Sequence, residues 1–78
     1  MGLLDRFKKK PDAEIQALVA QLGHADWQAR CAAAEALGNL GARAEPAVPQ
    51  LEEAISDENG DVCLAASDAL SKIRRAIG

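Results

Sequence analysis

Apolar residues recur along this chain at helical spacing and nowhere alternate with period two, which predicts helices and no strands. Ile15, Leu18, Val19 and Leu22 fall at i, i+3, i+4 and i+7, one face of a first helix that opens after Asp12 and ends at Gly23. A tight turn through His24-Ala25 leads to Asp26, which is placed to cap a second helix. Its inner stripe reads Ala29, Ala33, Ala36, Leu37 and Leu40, and Gly41 closes it. Ala42 to Pro46 is the longest connection. A third helix is predicted from about Ala47, with Pro49 in its first turn, where a missing N–H costs little, and with Val48, Leu51 and Ile55 as its stripe. Asp57-Glu58-Asn59-Gly60 reads as an acidic turn. The fourth helix then carries Val62, Ala66, Ala69, Leu70, Ile73 and Ile77 on one side, with Lys72, Arg74 and Arg75 toward its C-terminus.

The pattern repeats. A shift of 33 positions, without a gap, pairs Ile15 with Val48, Leu18 with Leu51, Leu22 with Ile55, Asp26 with Asn59, Ala33 with Ala66, Glu35 with Asp68, Leu37 with Leu70 and Leu40 with Ile73. Each unit is one helical hairpin whose stripe needs a neighbour, so the core is expected between the stacked units. The division is a tail over residues 1–11 and a repeat region over 12–78, with units at 12–41 and 45–77. Seventeen alanines among 78 residues suit close helix packing rather than a deep cavity.

Charge divides the chain differently. Residues 1–10 hold four basic residues against Asp5, a balance of +3, while residues 11–78 hold five basic against eleven acidic, a balance of −6. So acidic a body argues against nucleic-acid binding, which needs a basic face for phosphates. In the tail, Leu3, Leu4 and Phe7 share a helical face with Arg6, Lys8, Lys9 and Lys10 around it. One reading is a capping first turn; the other is a weak membrane or partner contact through Leu3, Leu4, Phe7 and Lys8. Cys31 and Cys63 are too few for a disulfide framework and lack metal-ligand spacing, which with the absence of a secretory signal pattern favours a cytoplasmic setting.

The residues that recur carry a resemblance. Asp26, Arg30, Ala32-Ala33, Ala36-Leu37-Gly38 and Leu40-Gly41, after the first-helix leucines, resemble the short HEAT-like repeats, particularly the type named after phycobilisome lyases. The likeness covers about residues 12–77. A 33-residue period also suits ankyrin and tetratricopeptide repeats. The ankyrin Thr-Pro-Leu-His signature is missing, and Arg30-Cys31 stand where the tetratricopeptide pattern wants Leu-Gly after Trp27. The resemblance implies an all-α fold, two stacked hairpins forming a short right-handed α-α superhelix. It also implies that the arginine at position 30 reaches the preceding turn's acid and ties neighbouring units together. Its counterpart in the second unit is Cys63, which suits a terminal repeat.

No residue set suggests catalysis, metal or a cofactor. His24 has no second histidine beside it, and neither cysteine has a base placed by the sequence. The acids Glu52, Glu53, Asp57, Glu58 and Asp61 read first as a solvated surface, then as a patch for a basic partner. Trp27 stands where the second repeat has Gly60, either shielding the hairpin's end or anchoring a partner. By family geometry the ligand-facing surface is the ridge of second helices. The expected partner-binding set is therefore Trp27, Gln28, Arg30, Glu35, Asn39, Asp61, Leu64, Asp68 and Arg75. A non-enzymatic protein-interaction module or adaptor is the leading expectation, with self-association of two copies as a way to cover an exposed end face. An accessory role in a bilin-lyase system and a membrane-tethered adaptor are the alternatives.

Overall fold

A computed structural model describes residues 13–78; the expected tail contacts and the Asp12 cap lie outside the described residues. Four α-helices follow one another: α1 Ala13–Leu22, α2 Trp27–Leu40, α3 Val48–Ala54 and α4 Gly60–Ile77, with a 3-10 segment over Gly41–Ala47 between α2 and α3. No strand occurs among the described residues. α1 with α2 and α3 with α4 are the two hairpins, and the most extensive contact is between their second helices, α2 and α4. The fold is all-α, as the periodicity predicts.

The helix starts are fixed by matching caps. Asp26 has extended backbone and its Oδ1 accepts from the Gln28 N–H at 3.1 Å; Asn59, 33 residues on, has the same backbone and accepts from the N–H groups of Asp61 and Val62 at 2.9 and 3.3 Å. Each satisfies donors that the first helical turn leaves unpaired. Gly41 ends α2 with φ +62°, a conformation that side-chain-bearing residues rarely adopt, and its N–H bonds back to the Gly38 carbonyl.

The core is thin and shared. Its largest fully buried side chains are Leu37, Leu51, Leu70, Ile73 and Val62, drawn from both hairpins. Small residues do the rest: Ala33, Ala34, Ala44, Ala47, Ala66 and Ala69 are all buried, and no buried residue is polar or charged among those described. At Gly38 a methyl group would lie 2.9 Å from Ala69 Cα, so α2 and α4 are nearly in backbone contact there.

Four details differ from the sequence expectation. Ala34 and Gly38 are fully buried while Ala29, Ala36 and Leu40 are half-buried, because α2 lies between α1 and α4 and buries an arc wider than one stripe. Ile55 is 40% exposed and Ala54 takes its core place, since α3 stops at Ala54 and Ile55 falls in the turn. Ile77 is 48% exposed at the end of α4, one turn beyond the buried Ile73. The linker is not an open connection. It winds as a 3-10 helix with Ala44 and Ala47 buried, packed mainly on α4. No helix among the described residues is long and apolar enough to cross a membrane.

Candidate interaction groove

Between the exposed faces of α2 and α4 runs an open groove of about 460 Å³, lined by Trp27, Cys31, Glu35, Asp61, Leu64, Ala65 and Asp68. Its walls are two helical stripes: positions 27, 31 and 35 on α2, spaced by four, and positions 61, 64 and 68 on α4, spaced by three and four, with Ala65 beside Leu64. The 33-residue repeat places equivalents side by side, with Glu35 matching Asp68 and Cys31 matching Leu64. Leu64 is 70% exposed and Trp27 39%, so the groove offers apolar surface to solvent alongside the three carboxylates of Glu35, Asp61 and Asp68. Lys72 Nζ lies 3.4 Å from Asp68 Oδ2, one turn along α4.

Cys31 forms part of the floor. Its thiol is pushed above the ordinary cysteine value, chiefly by partial burial and then by the negative charges of Asp61 and Glu35, which outweigh the opposite pull of Arg30. A thiol held protonated is a weak nucleophile.

Five of the nine expected interaction residues line this groove: Trp27, Glu35, Asp61, Leu64 and Asp68. Trp27 thus faces a surface common to both repeats. Gln28 is exposed just outside the lining. Asn39 lies further along α2, where its Oδ1 is 3.4 Å from Lys72 Nζ. Arg75 borders a separate shallow depression with Ser71, Arg74 and Gly78.

Arg30 points elsewhere. Its Nη1 donates to the carbonyls of His24 and Ala25 at 2.8 and 3.1 Å, and its Nη2 donates to Asp57 Oδ1 at 3.2 Å. Nε lies 2.9 Å from Asp57 Oδ2 without the alignment of a hydrogen bond, so this contact is an ion pair only. The arginine does tie the units together, but the preceding turn supplies carbonyls and the acid comes from the turn of the following repeat. Asp57 is held below the usual carboxylate range, first by the Asn59 N–H donating at 2.8 Å and then by the Arg30 guanidinium.

The equivalent positions show how the tie is bounded. Cys63 replaces the arginine, and its Sγ lies 2.6 Å from the Ile55 carbonyl and 3.2 Å from that of Asp57, the counterpart of His24. His24 replaces the acid; its Nδ1 accepts from the Asp26 N–H at 3.0 Å, as Asp57 accepts from Asn59. Sequence alone does not reveal this exchange, because positions 24 and 57 share a backbone-capping role with unlike side chains.

Other acids of the second hairpin are distributed. Glu52 pairs with Arg74 at 2.9 Å on the surface, and Asp61 turns into the groove.

Comparison with known families agrees with this architecture. A family model described as HEAT repeats matches residues 15–76, nearly the whole of both hairpins. No curated protein and no solved structure matches the chain. The chain belongs to the HEAT repeat family.

Proposed function

We propose that this chain is a non-enzymatic protein-interaction module whose groove between α2 and α4 receives a basic, amphipathic peptide segment. One observation carries the reading: Trp27 and Leu64, both exposed, line one groove together with Glu35, Asp61 and Asp68. Exposed apolar side chains accompanied by one sign of charge suit an apolar anchor flanked by lysine or arginine. A helical peptide would present its anchors at i and i+3 or i+4, the same spacing as the groove walls. HEAT repeats in general mediate protein–protein contacts, which supports the class of function. The interaction set reduces to Trp27, Glu35, Asp61, Leu64 and Asp68, because Gln28, Asn39 and Arg75 lie outside the groove lining and Arg30 is engaged within the fold.

The test is calorimetric titration with a lysine-rich amphipathic peptide and with its glutamate-substituted counterpart. Binding of the basic peptide alone is expected, weakening as salt rises, since exposed charges about 10 Å apart are screened at 0.1 M. Leu64→Glu, at a site 70% exposed, leaves the fold intact and abolishes binding. Equal binding of both peptides, or an unaffected Leu64→Glu chain, refutes the reading.

A further inference from the structure

We propose that the groove's occupant is a second copy of this chain, its α4 lying antiparallel on the first, so that each copy lends the basic end of α4 to the other's groove. The inference rests on the reading of the groove as a site for basic helical segments. Asp61, Leu64, Asp68, Ser71, Arg75 and Gly78 follow one another at alternating spacings of three and four residues, and all are exposed. They form one stripe along α4, on the side opposite the buried Val62, Ala66, Ala69, Leu70 and Ile73. That spacing is the seven-residue repeat by which two helices keep one seam in contact.

Charge along the stripe is ordered, acidic at Asp61 and Asp68 and basic at Arg75. Asp68 pairs with Lys72 at 3.4 Å, and Arg74 beside the stripe pairs with Glu52 at 2.9 Å. Asp61 and Arg75 make no ion pair with any described residue. They are opposite in sign, and each stands seven residues from Asp68. A two-fold axis at Asp68 therefore sets Asp61 against Arg75 of the second copy, and Arg75 against the second copy's Asp61. Parallel pairing would instead set each charge against its own kind. From Asp61 to Arg75 the seam runs about 21 Å at 1.5 Å per residue, with an ion pair at each end. Within it the exposed Leu64 faces the small Ser71 of the second copy. The two Asp68 carboxylates meet at the axis, each already paired with its own Lys72.

Asp61 and Leu64 line the groove with Trp27, so Arg75 of the second copy enters it. There its guanidinium has the Asp61 carboxylate, and its flat face and stem have the Trp27 ring. The groove's own Arg75 cannot fill this place, because it borders a separate depression with Ser71, Arg74 and Gly78. A two-fold contact uses the same surface on both copies and closes at two.

Sedimentation equilibrium of the full chain is expected to show a reversible monomer–dimer equilibrium that moves toward monomer as salt rises. Trp27, the sole tryptophan, should become bluer and less quenched by acrylamide as dimer forms. Asp61→Lys and Arg75→Glu, both at exposed positions, each bring like charges together twice in a dimer. Each is expected to weaken association about tenfold or more. Circular dichroism checks that the helices are retained. An equimolar mixture of the two variants restores opposite charges at both ends of the seam, so the dimer should return. It should return also in the doubly substituted Asp61→Lys/Arg75→Glu chain.

A native chain that stays monomeric at every concentration overturns the proposal. So do single variants that dimerise as the native chain does, a mixture no better than its components, or masses that grow beyond two copies. The lysine-rich amphipathic peptide separates this failure from that of the groove reading. Arg75→Glu keeps every groove-lining residue but releases the groove from the second copy. It should therefore bind the peptide more tightly than the native chain does at concentrations where the native chain is dimeric. Equal binding to both removes the second copy as occupant and leaves the groove reading standing. Absence of peptide binding to Arg75→Glu refutes the groove reading, and with it the inference built on it.

Discussion

Among the described residues, Arg30 and Asp57 form a side-chain tie across the two hairpins that is both charged and largely screened from solvent, with side chains 16% and 15% exposed. Its pH dependence follows from the lowered Asp57 pKa. A carboxylate whose folded pKa lies below its unfolded one contributes stability that is fully present above the unfolded value, about 3.9, and is lost as pH falls through the folded value. Asp57→Asn keeps an oxygen for the Asn59 N–H and removes only the charge. The melting temperature of the native chain is therefore expected to exceed that of Asp57→Asn at pH 5–7, with the gap closing below about pH 4. A gap still full at pH 3, read by thermal melts, contradicts the assignment. Cys31 gives the second residue-scale expectation. In a Cys63→Ser chain, the alkylation rate of Cys31 is expected to rise with a midpoint above that of an ordinary thiol, about 8.5, because partial burial and then Asp61 and Glu35 oppose the thiolate. Asp61→Asn should lower that midpoint; an unchanged midpoint would remove the electrostatic part of the account.

At the scale of elements, the close approach of α2 to α4 depends on Gly38. Glycine in a helix interior costs about 1 kcal/mol relative to alanine, so an unobstructed Gly38→Ala would stabilise. Here the added methyl meets Ala69 Cα at 2.9 Å, and backbone cannot swing aside as a long side chain can. Overpacking of this kind costs about 1–3 kcal/mol. The expected net result is a loss of about 1 kcal/mol or more, a fall of roughly 4–8 °C per kcal/mol in a domain of this size. Ser71 occupies the equivalent position on α4 and is exposed, so Ser71→Ala should raise stability slightly through helix propensity. A stabilising Gly38→Ala would mean the helices separate at no cost. These two positions also show where the sequence was informative. The periodicity, the Asp26 and Asn59 caps and the Gly41 stop are local properties, and a one-dimensional reading finds them. Ala34, Ala54 and the buried linker alanines depend on which neighbour lies across the gap, and small residues carry no polarity to announce it. The groove was legible as a ridge of second helices. The role of Arg30 was legible only in part, because its acid lies 27 residues away in a turn whose counterpart holds histidine.

At the scale of the molecule, the two hairpins are expected to fold as one unit. The fully buried Leu37 belongs to the first, while Leu51, Leu70, Ile73 and Val62 belong to the second, and all lie in one core. Neither hairpin buries its own stripe without the other, which makes each unit's intrinsic stability small and their interface decisive. Unfolding is therefore expected to be a single transition. Trp27 belongs to the first hairpin, so its fluorescence reports that unit, whereas far-ultraviolet circular dichroism reports all helices. The two melting curves should coincide. Ile73→Val, a mild change in the second hairpin at a side chain with no solvent exposure, should shift both curves together. Removing one buried methylene of this type costs about 0.5–1.5 kcal/mol. A shift confined to the circular dichroism curve, with Trp27 melting as before, would show that the first hairpin stands without the second. In that event the groove could not depend on both for its walls. Coincident shifts instead make the α2–α4 interface at once the main source of stability and the frame that holds Trp27 and Leu64 beside their carboxylates.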